Sequence, residues 1–469
     1  MMPKQKKTEE KKVARKGTAR KSGTQVKVTQ KKEAQRGMQR KEAPRRGIRA
    51  WPRWAKILGG VGVVVLIVII AVVLRYTAAF NGFLDKITDW GKETKEYSVL
   101  VKDDSEINNL QGIEDKSVGF LKTDPKAVNA EQYLQEQVKI EADFYDDMDT
   151  LTSVLNNQIV TAIVLESDRL EALKEDAQDV VAGMRVIYTF EIELTSEDAA
   201  APDKEITKEP FVVYISGSDS RAGIKATARS DVNIIAVVNP QKGKILLVSI
   251  PRDTYVQLHG TTGLKDKLTH AGIYGVDMSK TTIEDLLGIK IDNTIKVSFD
   301  TVVKVVDQLD GIEINSDKAM HLKAEGKEKY CDYVVGKQKV DGDCALRFAR
   351  ERKSYDRGDR HRGENQQEVI TSIIGRLGSS KNYLLRVPTI LDIAADSFET
   401  DLSRDEIMAF LRMQLGEQVD WQVESIGVDG AGVYEPTYSM GANLPLYVMI
   451  PSEESMTNAT NKINEYLAQ

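Results

Sequence analysis

The sequence predicts an α/β protein, with a smaller α/β unit followed by a larger one, behind a single membrane-spanning helix. Three observations predict it. Strand-like and helix-like runs alternate from Tyr97 to Leu194. The same alternation resumes at Phe211 and continues towards the C-terminus. No charged residue interrupts the stretch from Ile57 to Leu74. With 469 residues, 41% apolar and 29% charged, the chain is long enough for two or three domains, each with a packed core.

The elements follow in chain order. Residues 1–56 hold 20 Lys and Arg against 4 Asp and Glu, whereas the remainder holds 45 against 67. The net charge of −6 therefore conceals a basic arm on an acidic body. Residues 1–54 read as a disordered cytoplasmic tail of Lys, Arg, Gly, Ser and Gln. Such a tail sets topology and leans on anionic lipid headgroups, and no nucleic-acid partner is expected. Residues 55–76 read as a signal-anchor helix. The uncharged run spans roughly 27 Å at about 1.5 Å per residue, close to the ~30 Å hydrocarbon core. Trp51, Trp54 and Tyr76 flank it as interfacial aromatics, and no small-x-small cleavage site follows. The basic excess places the N-terminus in the cytoplasm and everything beyond Tyr76 outside the cell membrane.

Residues 77–96 are expected to form a connector, with an amphipathic helix from Asn81 to Glu96. Residues 97–194 form the smaller unit. It comprises strand YSVLVK, strand SVGFLK, a long helix from about Ala130 to Leu155, strand IVTAIVLE, a helix near Asp168–Glu175 and strand VIYTFEIEL. No catalytic cluster is visible in it. Residues 195–210, rich in Ala, Asp, Lys, Glu and Pro, read as a linker. Residues 211–469 form the larger unit, opening with strands FVVYIS, VNIIAVV and KILLVSI, the last two joined by the turn NPQKGK. Phe299, Val302, Val303, Val306 and Leu309 keep helical spacing, as core or as the lining of an apolar slot. Ser403 and Glu406 form a capping box ahead of IMAFLRMQL. Cys331 and Cys344 suit a disulfide in an oxidising compartment, since closing so short a loop contributes about 3 kcal/mol.

Several catalytic engines are missing. There is no GxxxxGK[ST] loop, GxSxG elbow, HExxH pair or strand-borne GxGxxG. Four histidines, His259, His270, His321 and His361, do not favour a histidine triad or a zinc site. What remains is Asp and Arg at strand ends: Asp219 and Arg221 after the first strand of the larger unit, Arg229 and Asp231 before the second, Arg252 and Asp253 after the third. The run ALRFARERKSYDRGDRHRGENQQEVI adds Arg347, Arg350, Arg352, Arg357, Arg360 and Arg362. Guanidinium groups bind phosphate oxygens bidentately and stay charged at any relevant pH. Carboxylates among them suit Mg²⁺, which takes one or two carboxylates together with phosphate oxygens and water. An isolated RxR usually decorates a surface; repeated Asp/Arg pairs at successive strand ends point to phosphate chemistry.

At these residues the chain resembles the LytR-CpsA-Psr family of cell-envelope glycopolymer ligases. The motifs that carry the resemblance run in order over about 250 residues: GSDSR, RSD, KILLVSIPRD, DKLTHAGIYG, TIEDLLGIKIDNTIKVSFDTVVKVVDQLDGIEIN, GKQKVDGDCALRFARER and GDRHRGENQQEVI. The resemblance implies an α/β/α domain with a central mixed sheet, and a site at the rim of a hydrophobic pocket for a polyprenyl chain. It implies Asp219 and Asp231 as Mg²⁺-associated residues. It also implies Arg252, Arg350, Arg352 and Arg362 as the pyrophosphate clamp, Gln366 beside them, and Arg229 and Lys267 as further polar positions. Asp253 and Asp359 would orient arginines rather than act as bases. Where many members carry Arg before the paired glutamines, this chain has Asn365. The implied reaction moves a phospho-glycopolymer from a polyprenyl-pyrophosphate carrier to a peptidoglycan hydroxyl, in the family the N-acetylmuramic acid 6-hydroxyl, and releases polyprenyl phosphate. Two other readings are a non-catalytic binding module for a lipid-linked polysaccharide and a membrane-bound transcriptional attenuator.

Overall fold

The larger unit is built on a six-stranded mixed sheet whose strands are apolar on both faces. In chain order these are β6 (Phe211–Ser218), β7 (Val232–Asn239), β8 (Lys244–Ser249), β9 (Asn293–Ser298), β10 (Phe398–Thr400) and β11 (Gln422–Gly427), arranged β10-β9-β6-β7-β8-β11. The two parallel pairs are β9 with β6 and β8 with β11, and the other neighbours run antiparallel. Side chains alternate between the faces, and a sheet covered on both sides needs apolar residues at every position. Val212, Tyr214, Ile235, Val237, Leu246 and Val248 pack on one face, with Ile283 and Leu287 of the helix Val276–Leu287 and Ile463 of the helix Glu453–Ala468. Phe211, Val213, Ile234, Ala236, Val238 and Leu247 pack on the other, against Ile370 and Ile374 of the helix Asp359–Gly378 and Phe410 of the helix Arg404–Glu417. The result is the helix–sheet–helix layering expected for this unit.

This computed structural model describes residues 92–124, 126–195, 204–218 and 223–469. The basic tail (1–54), the predicted span (55–76) and most of the connector lie outside the described residues, as do Asp219 and Arg221. Among the described residues no helix is long and apolar enough to cross a membrane.

The first described element is a strand, β1 (Lys92–Lys102), which corrects the helix expected up to Glu96. Its pairing with β5 (Met184–Thr195) runs from Lys92 opposite Thr195 to Lys102 opposite Met184. That ladder outweighs the helical preference of a Lys- and Glu-rich segment. With β2 (Ser117–Leu121), β3 (Glu141–Tyr145) and β4 (Ala162–Glu166), these strands form a five-stranded mixed sheet ordered β3-β2-β4-β1-β5. The single helix expected over 130–155 is also corrected. It is two helices, α1 (Ala127–Gln137) and α2 (Met148–Asn156), separated by edge strand β3. Ile140, Ala142 and Phe144 alternate with charged residues there, and one parallel ladder to β2 is enough to seat them. Helix α3 (Ser167–Asp176) follows β4 directly and stands where a helix was predicted.

A separate core beside the large sheet gathers Val306 and Leu309 of the predicted stripe with Ile312, Phe348 and Cys331. Cys331 and Cys344 are disulfide-bonded, with Cα atoms 5.5 Å apart. Ser403 accepts from the Glu406 amide while the Glu406 side chain takes the Ser403 amide, completing the capping box.

Candidate active site at one edge of the large sheet

Sheet register delivers the site residues to one edge. Val232 lies opposite Gly217, and Ile234 opposite Ser249, so the end of β6, the start of β7 and the end of β8 share that edge. Asp231 sits just before β7, and Arg252 emerges from β8 through Ile250 and Pro251. The helix Asp359–Gly378 approaches β8 through Gly363, where an added Cβ would meet Ser249 Oγ at 2.5 Å. Gln367 fastens it by donating to the Leu247 and Ile426 carbonyls at 3.0 and 2.7 Å. Arg362 and Gln366, on the neighbouring turn, are thereby held at the same edge.

Arg252 is the hub. It is 7% exposed and lies among four carboxylates. Nη1 donates to Asp231 Oδ1 at 2.9 Å, and Nη2 donates to Glu175 Oε1 at 2.9 Å. Nε lies 3.9 Å from Asp359 and 4.0 Å from Asp253, and has no hydrogen-bond partner among the described residues. Asp359 pairs with Arg362 at 2.6 Å, and Asp253 pairs with Lys267 at 3.3 Å. Lys267, Asp253 and Asp359 thus stand behind the arginines. Burial raises the Asp231 carboxyl, but the Arg252, Arg229 and Arg362 charges outweigh it and hold Asp231 below the usual range. Asp359 goes the other way, raised by burial together with Asp253 and Asp231.

Arg229, Asp231, Arg252, Arg350, Arg352, Arg362 and Gln366 line one cavity of about 750 Å³. Arg350 reaches it with its guanidinium 4.5 Å from the Phe299 ring centroid and an ion pair to Glu325 at 2.7 Å. Phe299 of the predicted apolar stripe therefore faces the cavity, while Val306 and Leu309 face the core. Arg357 and Arg360 turn instead to Asp429. Asn365 donates to the Phe348 carbonyl at 3.1 Å and is absent from the lining. The cavity is walled mostly by charged side chains, as the arginine and carboxylate site expected at the rim requires.

One wall of the cavity is a surface that sequence reasoning missed. Helix α3 of the smaller unit supplies Asp168, Leu170, Glu171, Lys174 and Glu175 to the cavity. Glu175 bridges Arg252 and Arg229, at 2.9 and 2.8 Å, and lies 3.8 Å from Arg352. Burial opposes its charge, but Arg252 and then Arg229 prevail and bring its carboxyl down to about 2. Asp168 is pushed up to about 7 by burial and by Glu166 and Glu96, against Arg229 and Lys95. In sequence, RLEALKED looks like an ordinary solvated helix, and only packing reveals its partners.

Helix α3 is pinned at its other end. Arg169, fully buried, pairs with Glu166 at 3.2 Å and donates to the Tyr274 hydroxyl at 3.0 Å and the Ser439 carbonyl at 3.5 Å. Glu166 also pairs with Lys95, which holds Asp124 at 3.0 Å. Main-chain bonds from Thr94 to Lys225 and Thr227 join β1 to the loop that carries Arg229.

The sequence has relatives among known proteins. The profile of the LytR_cpsA_psr family matches residues 185–463, more than half of the chain. A polyisoprenyl-teichoic acid–peptidoglycan teichoic acid transferase TagU of Enterococcus faecalis is 35% identical over 202 residues, 43% of this chain and 64% of that protein. The TagU of Halalkalibacterium halodurans is 30% identical over 248 residues, 53% of this chain and 76% of its own length. The match to the Enterococcus faecalis protein thus spans less than two thirds of that relative. A crystal structure of Bacillus subtilis TagV is 28% identical, with 56% of this chain and 98% of that one covered at a TM-score of 0.46. By the extent of the profile match, this chain belongs to the LytR_cpsA_psr family.

Proposed function

We propose that this protein transfers an anionic glycopolymer, of teichoic acid or capsular polysaccharide type, from a polyprenyl-pyrophosphate carrier to a peptidoglycan hydroxyl. The observation that carries the reading is the convergence of Arg229, Arg252, Arg350, Arg352 and Arg362 on one cavity. That many guanidinium groups in one recess match a ligand with two adjacent phosphates, each able to take a fork of donors.

The acceptor hydroxyl attacks the sugar-proximal phosphorus. An oxygen–phosphorus bond forms, the bridging phosphoanhydride bond breaks, and polyprenyl phosphate leaves with the bonding pair. The hydroxyl proton passes to a base in the cavity, and Asp168, pushed up to about 7, titrates in the range that task requires. Arg252 and its neighbours bind the pyrophosphate and offset charge as it gathers on the leaving phosphate.

Mg²⁺ fits this donor set. Asp231 is ionised and lines the cavity, and one or two carboxylates with phosphate oxygens satisfy this ion. Asp231 would hold it, with Asp219 as the candidate second carboxylate beyond the described residues. When bound, the ion would add charge neutralisation at the phosphates.

The proposal extends to the surroundings. One N-terminal helix anchors the chain in the cell membrane, and the site faces peptidoglycan outside it. The smaller unit is an accessory domain that completes the cavity wall. Acceptor dependence tests the reaction type. Polyprenyl phosphate release from a lipid-pyrophosphoryl oligosaccharide is expected with a peptidoglycan oligomer and not with water alone. Equal release in both would make the protein a pyrophosphatase and sink the transferase reading.

A further inference from the structure

Glu175 already does to the arginines what a phosphate would do. Its two carboxylate oxygens take separate guanidinium groups, Oε1 from Arg252 at 2.9 Å and Oε2 from Arg229 at 2.8 Å, with Arg352 3.8 Å away. A phosphate entering the cavity seeks those same donors. The carboxylate comes from a different part of the chain, 77 positions before Arg252. It also sits in the last turn of α3, where the helix dipole disfavours negative charge. The arginines, not the helix, hold it there. The base of the helix is fixed by Arg169, whereas the Glu175 side chain is about a third exposed.

We propose that Glu175 is a resident anion seated where phosphate oxygens bind, so that the smaller unit sets the threshold a phosphorylated ligand must exceed to enter. A single weakly charged anion gains little by replacing a carboxylate already bound to two arginines. A pyrophosphate presents two anionic groups. It replaces Glu175 at Arg252 and Arg229 and also engages Arg350 in the same lining. The displaced carboxylate swings toward open cavity near Lys174, which belongs to the same wall. This inference rests on the reading of the arginine cluster as a phosphate site.

Titration calorimetry of the 469-residue chain with inorganic pyrophosphate separates the two. Glu175→Gln keeps the shape and removes the competing charge, so affinity is expected to rise at least about tenfold. Glu171→Gln is the control. Glu171 lines the same cavity and pairs with Lys174 at 2.9 Å, not with the arginines. Removing its charge is expected to change affinity less than about threefold, the size of a screened, indirect effect. Equal gains in both variants would reduce Glu175 to one charge among many and overturn direct competition. Weaker binding in Glu175→Gln would overturn it as well, because the carboxylate would then be positioning the arginines for the ligand. If neither the unaltered chain nor Glu175→Gln bound pyrophosphate, the phosphate-site reading itself would fall.

Discussion

Replacing Arg252 by lysine is expected to lower the proposed glycopolymer transfer by about 10²–10³-fold, the scale of losing one preorganised charged donor at a site of developing charge. Lysine keeps the positive charge amid Asp231, Glu175, Asp253 and Asp359, so the fold keeps its central counter-ion. What it loses is the fork. Arg252 donates in two directions at once, from Nη1 to Asp231 and from Nη2 to Glu175, and an ammonium group on a flexible stem cannot reproduce that planar pattern. The expected signature is a thermal midpoint within a few degrees of the unaltered protein and a turnover number reduced far more than substrate affinity. Unchanged turnover would show that Arg252 supplies bulk charge alone. A collapsed thermal transition would show that its role is to hold the sheet edge together.

The second large effect lies away from the cavity. Arg169→Met should cost about 3–5 kcal/mol of stability, as expected when one partner of a buried ion pair is removed. The guanidinium is fully buried between Glu166, Tyr274 and Ser439, so methionine fills the volume but leaves Glu166 with Lys95 as its cation. Burial, with Asp124 adding to it, already pushes the Glu166 carboxyl up to about 7 from its ordinary 4.5. Losing Arg169 pushes it further. A carboxyl raised in the folded state favours folding while protonated, and that contribution declines as pH rises from 4.5 through the folded value. The deficit of Arg169→Met should therefore be larger at pH 8 than at pH 5.5 in urea unfolding. A deficit independent of pH would mean that packing at Tyr274, not the charge on Glu166, is what Arg169 provides. Because Arg169 also anchors α3, the variant should loosen the seat of Glu175.

The strand ends of the larger unit were legible because their chemistry is local. GSDSR, RSD and PRD each follow or precede an apolar run, and register then forces Asp231 and Arg252 to the same edge. The alternation in β6, β7 and β8 was equally plain, since both faces of that sheet are covered. Two things were not legible. Strand β3 was folded into a helix because a run of five residues with three half-buried side chains carries almost no periodic signal. The identity of β3 comes from its ladder to β2, which is tertiary. Glu175 was missed for a related reason. Its partners Arg229 and Arg252 are 54 and 77 positions away, and nothing in LKED distinguishes a carboxylate facing arginines from one facing water. That same helix adds Asp168, Glu171, Lys174 and Glu175 to a lining whose other charges come mostly from the larger unit.

One measurement tests the proposed transfer directly. The chain is incubated with a polyprenyl-pyrophosphoryl oligosaccharide and a peptidoglycan oligomer, with Mg²⁺ or with a chelator, and the products are read by mass spectrometry. The predicted result is a phosphodiester-linked conjugate formed with one polyprenyl phosphate per transfer, dependent on Mg²⁺ and lost in Arg252→Lys. Tight donor binding with no conjugate and no released polyprenyl phosphate, across several donors, would contradict it and leave a binding module for lipid-linked polysaccharide.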